Sequence, residues 1–225
     1  MQTRTPLISV IIPTLQEEKY IAKTLSKLVD VKPQVEIVVV DGGSQDNTVK
    51  IAKRFTDKVY EIREMGISKA RNYGADRSNG DILVFLDADV VPPTDFAEKV
   101  IETFKDPKVV GATCTIMPTR PKIMERIFFL FFNFLIRISN MLPYTRFNRH
   151  SRGEFTAVRR SEFQKVGGFN ESIPCAEDFD FACHLSELGK LAFIKNLTVY
   201  ESIRRIKRLG LLKTVGAWIV NTLSY

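Results

Sequence analysis

The chain has 225 residues, 44% of them hydrophobic, which is long enough for one domain with a substantial core. Its net charge of +7 favours an anionic partner, such as a nucleotide phosphate, a nucleic acid or a lipid surface. We find no repeat, low-complexity tract or signal peptide. The three cysteines lack CxxC spacing, which fits a reducing cytoplasm better than secretion.

Alternating strands and helices are predicted along the first half. Continuous β-branched runs predict buried strands at 7–12, 36–40, 58–62 and 81–86. Helical patterns lie between and after them, at 17–29, within 41–55, at 67–77 and at 94–104. This alternation predicts an α/β fold with a mostly parallel sheet flanked by helices.

Polar segments follow three of these strands, at 13–18, 41–46 and 87–89. In open parallel sheets ligands bind outside the carboxyl ends of the strands, so we expect the three segments to meet at one site. The last segment, Asp87-Ala88-Asp89, offers hard carboxylate oxygens that suit Mg²⁺ or Mn²⁺. The alternative is a pair of solvated aspartates that cap a turn.

Five segments together resemble the family 2 glycosyltransferases with the GT-A (Rossmann-like) fold. They are VIIPTLQEEKYIAKTL, EIVVVDGGSQDNT, GISKARNYGADRSNGDILVFLDAD, GEFTAVRRSEFQKVGGFNE and AEDFDFACHL. The resemblance implies a single domain over 1–225, with a nucleotide-sugar-binding half at about 1–118 and an acceptor-binding half at about 119–225. It also implies transfer of a sugar from a UDP- or GDP-sugar with inversion at the anomeric carbon.

The resemblance also implies which residues bind the donor. Pro13, Thr14 and Glu17 fall in the nucleotide pocket, and Arg71 lies near the nucleotide and its phosphates. Asp41 meets the base, although Gly42 stands where many members carry a second acid. Simpler alternatives are that Pro13 ends a strand and that Arg71 pairs on a helix surface.

The metal and diphosphate contacts are implied in the same way. Asp87 lies by the ribose and the metal, and Asp89 is the direct ligand of Mn²⁺ or Mg²⁺. Arg204 and Arg205 close over the diphosphate, a role that suits the planar fork of arginine.

On the acceptor side, the resemblance places Gly153 and Glu154 close to the acceptor sugar. Within AEDFDFACHL it makes Asp178 the base that removes the acceptor proton, while Glu177 shapes the acceptor site. The alternative for Asp178 is an acid that stabilises a helix N-terminus, and a phosphate acceptor would need no base.

Residues 123–142 predict an unusually apolar helix. With the preceding Lys122, the residues Arg126, Asn133, Arg137 and Asn140 form one narrow polar stripe. The apolar run is too short and too closely flanked by charge to span a bilayer. Three roles stay open: packing in the core, pairing with a second subunit in a homodimer, or lying in a membrane interface. Basic residues dominate 119–165, which favours a membrane surface with anionic lipid. A second apolar helix is predicted near the C-terminus, from Leu211, Leu212, Val215, Trp218, Ile219 and Leu223.

The sequence thus predicts a metal-dependent inverting glycosyltransferase, peripheral on the cytoplasmic face of the cell membrane. Its expected acceptor is lipid-linked, with a soluble glycan as an alternative, and no nucleic-acid partner is expected. One competing interpretation is a nucleotidyltransferase that makes sugar nucleotides, but segment 13–18 lacks the glycine-rich basic loop of such enzymes. The other is a non-catalytic basic protein that binds membranes or nucleic acid. That role explains the charge but not the acids at three strand ends.

Overall fold

A computed structural model of the chain describes residues 5–63, 66–141 and 152–210, together with 213, 214 and 216. Strands and helices alternate through most of this part. The strands are β1 (Ile8–Thr14), β2 (Glu36–Asp41), β3 (Val59–Glu61), β4 (Ile82–Leu86), β5 (Val109–Pro118), β6 (Phe155–Arg159) and β7 (Lys190–Glu201). The helices are α1 (Ile21–Val29), α2 (Thr48–Ala52), α3 (Ile67–Asp76), α4 (Phe96–Thr103), α5 (Ile123–Met141), α6 (Arg160–Lys165), α7 (Glu177–Leu188) and α8 (Arg204–Leu209).

The described strands form one mixed sheet in the order β3-β2-β1-β4-β6-β5-β7. The neighbours β1–β2, β1–β4, β2–β3 and β5–β7 are parallel, whereas β6 runs antiparallel to both β4 and β5. A strand from the second half of the chain therefore lies between two strands from the first half. The mostly parallel sheet is confirmed, and the antiparallel insertion was not predicted.

Two hydrophobic cores cover the two faces of the sheet, because successive side chains of a strand point to opposite faces. In β1, Val10 and Ile12 pack in one core with α1 and α4, whereas Ile11 packs in the other with α3 and α7. Burial on both faces explains why these strands read as continuous apolar runs rather than alternating ones.

The predicted strands and helices of the first half are confirmed with small shifts. The helix expected from residue 17 begins at Ile21, since the backbone N–H groups of Tyr20 and Ile21 both donate to the Glu17 carbonyl in a turn. Strands β5 and β7 were not predicted.

Helix α5 packs one face on β5 and β7 and leaves the other exposed. Its exposed apolar side chains are Ile123, Met124, Ile127, Leu130, Phe131, Phe134, Leu135 and Ile138. Asn133, expected in a polar stripe, is instead 5% exposed, while Arg126 and Arg137 are exposed. None of the described helices is long and apolar enough to cross a bilayer. The predicted C-terminal apolar helix falls outside the described residues.

The Asn133 side chain is buried because it satisfies the backbone of β5. Its carboxamide oxygen accepts from the Ile116 N–H at 3.0 Å, and its NH₂ group donates to the Ile116 carbonyl at 2.8 Å. Strand β6 pairs with β5 only at Gly111 and Ala112, so this stretch of β5 lacks a strand partner on that side. The Asn133 amide takes the place of that partner.

Candidate active site

The polar segments after β1 and β2 meet at the carboxyl edge of the sheet. The Thr14 hydroxyl donates to Asp41 at 2.9 Å, and the Gly42 N–H donates to the Thr14 carbonyl at 2.9 Å. Asp41 is 1% exposed and also accepts from the N–H groups of Gly43 and Ser44, at 3.0 and 2.7 Å. Asp41 therefore organises the loop after β2, and its contact with a base stays a prediction.

A cavity of about 420 Å³ lies beside this edge, outside the end of β4. Side chains that were assigned separately to the donor, the metal and the acceptor line it together: Arg71, Asp87, Asp89, Glu177, Asp178 and Arg204. Gly153 and Glu154 line the same cavity, as do Phe132 and Ile136 of α5. Pro13, Thr14, Glu17 and Asp41 lie outside this lining, and the Arg205 side chain is outside the described residues.

The Arg71 side chain lies at the cavity wall and is almost fully buried, with 1% of its surface exposed. Its guanidinium donates to Glu177 at 2.9 Å, to the Gly153 carbonyl at 2.8 Å and to Asp87 at 3.3 Å. It therefore joins Asp87, the expected metal ligand, to two elements that are expected at the acceptor side. Its assigned contact with nucleotide phosphates stays a prediction.

Asp178 lies in the first turn of α7, directly after Glu177 and after Ala176, whose φ of 60° is left-handed. The Gly153 N–H donates to the Asp178 carboxylate at 2.9 Å. Burial, reinforced by the nearby charges of Glu177 and Glu154, raises the pKa of Asp178 to about 6. A carboxyl group with this pKa is ionised at neutral pH yet basic enough to accept a proton.

Asp87 and Asp89 lie in the turn that follows the last residue of β4. Burial raises the pKa of Asp87 to about 7 despite the Arg71 charge, and the carboxylates of Glu154, Asp89 and Glu177 add to that rise. No group of three or more His, Cys, Asp or Glu side chains converges as a metal cage among the described residues. The two aspartates fit Mg²⁺ or Mn²⁺, because such ions complete their coordination with water and substrate phosphates. A divalent cation here would offset the crowded negative charge.

Arg204, the arginine expected over the diphosphate, contacts acids in this structure, and its diphosphate role stays a prediction. Arg204 donates to both carboxylate oxygens of Glu17, at 2.5 and 2.6 Å, and its Nε lies 3.1 Å from Asp89. The guanidinium carbon is 4.8 Å from the centre of the Tyr20 ring. Glu17 therefore joins the site through Arg204.

Three further polar residues of the cavity, Arg152, Glu201 and Ser202, were not assigned to the site from the sequence. Glu201 is the last residue of β7 and Ser202 follows it, while Arg152, which is 3% exposed, lies 3.4 Å from Glu154. Burial and the neighbouring carboxylates raise the pKa of Glu201 to about 8. Polar residues after an apolar strand were the signal for Asp41 and Asp87, and the same signal at Glu201 was available once β7 had been recognised.

The model of the family described as Glycosyl transferase family 2 matches residues 9–167, which include the strand ends and the Asp87–Asp89 turn. The chain belongs to glycosyl transferase family 2.

Relatives within family 2 extend the match. The chain is 37% identical over 112 residues to glycosyltransferase AglE of Haloferax volcanii, covering 46% of this chain and 37% of that protein. A relative from Methanococcus voltae is 25% identical over 235 aligned positions, covering 97% of this chain and 71% of the relative. Its name is dolichyl N-acetyl-alpha-D-glucosaminyl phosphate 3-beta-D-2,3-diacetamido-2,3-dideoxy-beta-D-glucuronosyltransferase.

Solved structures agree with the α/β GT-A-like fold. The mannosyltransferase PcManGT from Pyrobaculum calidifontis, in complex with GDP-Man and Mn²⁺, has a TM-score of 0.75 at 25% identity, covering 90% of this chain and 59% of that chain. Staphylococcus aureus TarS 1–349 with UDP-GlcNAc has a TM-score of 0.69 at 18% identity, covering 88% and 59%, which supports the fold alone. The family 2 chain described here thus spans less than two thirds of AglE and of both solved chains.

Proposed function

We propose that this chain transfers a sugar from a nucleoside diphosphate donor to a lipid-linked acceptor, with inversion, at the cytoplasmic surface of a membrane. One observation carries the proposal: a single cavity holds the acids Asp87 and Asp89 and the base candidate Asp178, and α5 forms one wall. Family membership favours sugar transfer over a nucleotidyltransferase or a purely binding role.

The residues divide the chemistry between two sides of the cavity. Asp178, held by the Gly153 N–H, takes the proton from the acceptor hydroxyl. Asp87 and Asp89 would hold Mn²⁺ or Mg²⁺, and such an ion would supply positive charge that offsets the charge of the diphosphate. Arg71 fixes the spacing between Asp87 and the Gly153 loop from below. Glu154 and Glu177 would contact the acceptor.

The donor class is supported by the solved mannosyltransferase PcManGT, whose structure contains GDP-Man and Mn²⁺. Base recognition falls to the loop after β2, whose acid Asp41 already accepts three loop hydrogen bonds. UDP and GDP are the two candidate nucleotides, and the titration described next distinguishes them.

The membrane surface and the lipid-linked acceptor are supported by α5. Its outer face exposes eight large apolar side chains, and Arg126 and Arg137 lie exposed on the same helix. Apolar contact combined with basic residues is the composition of a helix that binds an anionic lipid interface. Phe132 and Ile136 of α5 line the cavity and give it an apolar wall. The dolichyl phosphate sugar in the name of the Methanococcus voltae relative agrees with such an acceptor.

Ligand-induced thermal stabilisation tests the donor part of this proposal. UDP, GDP and their sugars are titrated with and without Mn²⁺ against the wild-type chain and Asp89→Ala. A ligand that binds the native state raises the melting temperature with the logarithm of its excess over Kd. We expect a Mn²⁺-dependent rise with one base, lost in Asp89→Ala. No rise with any nucleotide in the wild-type chain would contradict the proposed function.

A further inference from the structure

Arg204 occupies a position between two acids that come from distant parts of the chain. Its two terminal nitrogens bind both oxygens of Glu17, in the segment after β1. Its Nε faces Asp89, in the segment after β4, at 3.1 Å. One fixed positive charge therefore holds one carboxylate of the expected nucleotide pocket and one of the expected metal site.

The surroundings fix this arrangement from several sides. The Tyr20 ring lies 4.8 Å below the guanidinium carbon, and the Ser202 hydroxyl donates to Asp89 at 2.5 Å. On either side of Arg204, Ile203 and Ile206 are 9% and 7% exposed and anchor the chain. The Arg204 side chain itself is 40% exposed, so it can leave its partners by rotation while the backbone stays anchored.

We propose that Arg204 is the internal counter-ion of the donor site, and that a divalent cation must displace it from Asp89 in order to bind. The inference rests on the proposed function, because that function makes Asp89 a metal ligand. Two cations cannot share one carboxylate without repelling each other at a few ångströms. In the ligand-free protein the Arg204 charge offsets the repulsion between the Glu17 and Asp89 carboxylates. The same charge lowers the affinity of Asp89 for a free metal ion.

This competition makes donor and metal binding cooperative. A metal ion alone breaks the contact of Arg204 with Asp89, and the guanidinium gains only water in exchange. A metal ion that arrives with a nucleoside diphosphate offers the released fork two phosphate oxygens. Coupling of this kind is reciprocal, so the nucleotide strengthens metal binding by the same factor by which the metal strengthens nucleotide binding.

Binding of Mn²⁺ alone, followed through the electron paramagnetic resonance signal of the free ion, tests the competition. The wild-type chain is compared with Arg204→Gln, which removes the charge at similar length, and with Arg204→Ala. Arg208→Ala is the matched control, because it removes the same charge from an exposed position on α8. We expect Arg204→Gln and Arg204→Ala to bind Mn²⁺ about tenfold more tightly than the wild-type chain, with Arg208→Ala unchanged.

The second arm repeats the titration with UDP or GDP present. We expect the nucleotide to tighten Mn²⁺ binding strongly in the wild-type chain and at least fivefold less in Arg204→Gln. Equal Mn²⁺ affinity in the wild-type and Arg204→Gln chains would overturn the inference, and so would weaker binding in a variant whose melting temperature is unchanged. If Arg208→Ala raised the Mn²⁺ affinity as much as Arg204→Gln does, the change would reflect the net charge of the protein, and the counter-ion role would also be overturned.

These outcomes are separable from failure of the proposed function. The first arm contains no nucleotide, so it reports on Arg204 and Asp89 even if no nucleotide sugar binds. Absence of nucleotide binding in the wild-type chain contradicts the proposed function, whereas unchanged Mn²⁺ affinity in Arg204→Gln contradicts the counter-ion role alone.

Discussion

Arg71 and Glu177 are 106 positions apart in the sequence, yet the guanidinium of Arg71 donates to the Glu177 carboxylate at 2.9 Å. The same guanidinium reaches Asp87 and the Gly153 carbonyl. This buried side chain thus joins the expected metal ligand Asp87 to the residues expected at the acceptor side of the cavity.

Replacement of Arg71 by Ala is expected to lower the free energy of unfolding by about 3 kcal/mol, because Glu177 and Asp87 lose the buried charge that offsets theirs. Urea unfolding at pH 7 measures the change. Arg77→Ala is the control, since Arg77 caps the same helix but is exposed over Tyr73. If Arg71→Ala lowered the free energy of unfolding no more than Arg77→Ala does, the Arg71 contacts would not stabilise the site.

Asp178→Asn is expected to slow sugar transfer about 100-fold or more, because the amide cannot accept the acceptor proton. Donor binding should be unaffected, since the shape of the side chain is kept. The measurements are the steady-state rate and the Kd for nucleotide sugar in the same preparation. Transfer at the full wild-type rate would remove Asp178 as the base and indicate an acceptor that is already ionised, such as a phosphate.

The raised pKa of Asp178 also makes stability depend on pH. Folding raises this pKa from 3.8 to about 6, so the folded chain binds the proton more tightly than the unfolded chain. The resulting stabilisation is complete below pH 3.8 and is lost as the pH rises through about 6. The whole shift corresponds to about 3 kcal/mol, and partial access of the carboxyl group to water reduces this to about 2 kcal/mol.

Asp178→Asn cannot titrate, so it should match the wild-type stability near pH 4 and exceed it by about 2 kcal/mol at pH 8. Chemical denaturation at several pH values without added metal measures both curves. If the free energy of unfolding changed with pH in the same way for both proteins, the raised pKa of Asp178 would be contradicted.

Asn133→Ala is expected to cost about 2–3 kcal/mol of stability, because the N–H and carbonyl of Ile116 lose their buried partner. Thermal or urea unfolding measures it. Arg126→Ala, on the exposed side of α5, should change stability by less than about 0.5 kcal/mol. Equal effects of the two substitutions would show that water replaces the Asn133 amide at Ile116.

The exposed face of α5 is expected to bind anionic lipid vesicles. Phe131→Asp combined with Phe134→Asp should reduce vesicle binding at least about tenfold, because two exposed aromatic rings are lost and negative charge is added. The matched control, Thr94→Asp with Ser161→Asp, adds the same charge at exposed polar positions. Co-sedimentation measures binding, and sedimentation velocity without lipid measures oligomeric state. If the Phe pair abolished a dimer and no vesicle bound the wild-type chain, α5 would be a subunit interface.

Local patterns predicted much of the first half of the fold, since the apolar runs at 7–12, 36–40 and 81–86 are long and buried on both faces. They also indicated Asp87 and Asp89, whereas Asp178 was assigned through the family resemblance. Contacts between distant segments could not be predicted this way, because the Arg204–Glu17 pair spans 187 positions and leaves no local pattern. The placement of Asn133 in an exposed polar stripe was wrong for a related reason. Its partner is the backbone of a strand, which a pattern of side chains does not reveal.

The antiparallel insertion of β6 has a consequence for how this architecture can diversify. Because β6 runs opposite to β4, its first residues lie beside the last residues of β4, and the Asp87 N–H donates to the Glu154 carbonyl at 3.3 Å. The spacing between Asp87 and the loop at Gly153 and Glu154 is thus set by this strand pairing together with the Arg71 contacts. The exposed face of α5, which lies between β5 and β6 in the chain, takes no part in that pairing. Under the proposed function, substitutions on that face would alter acceptor binding and leave the reacting groups in register.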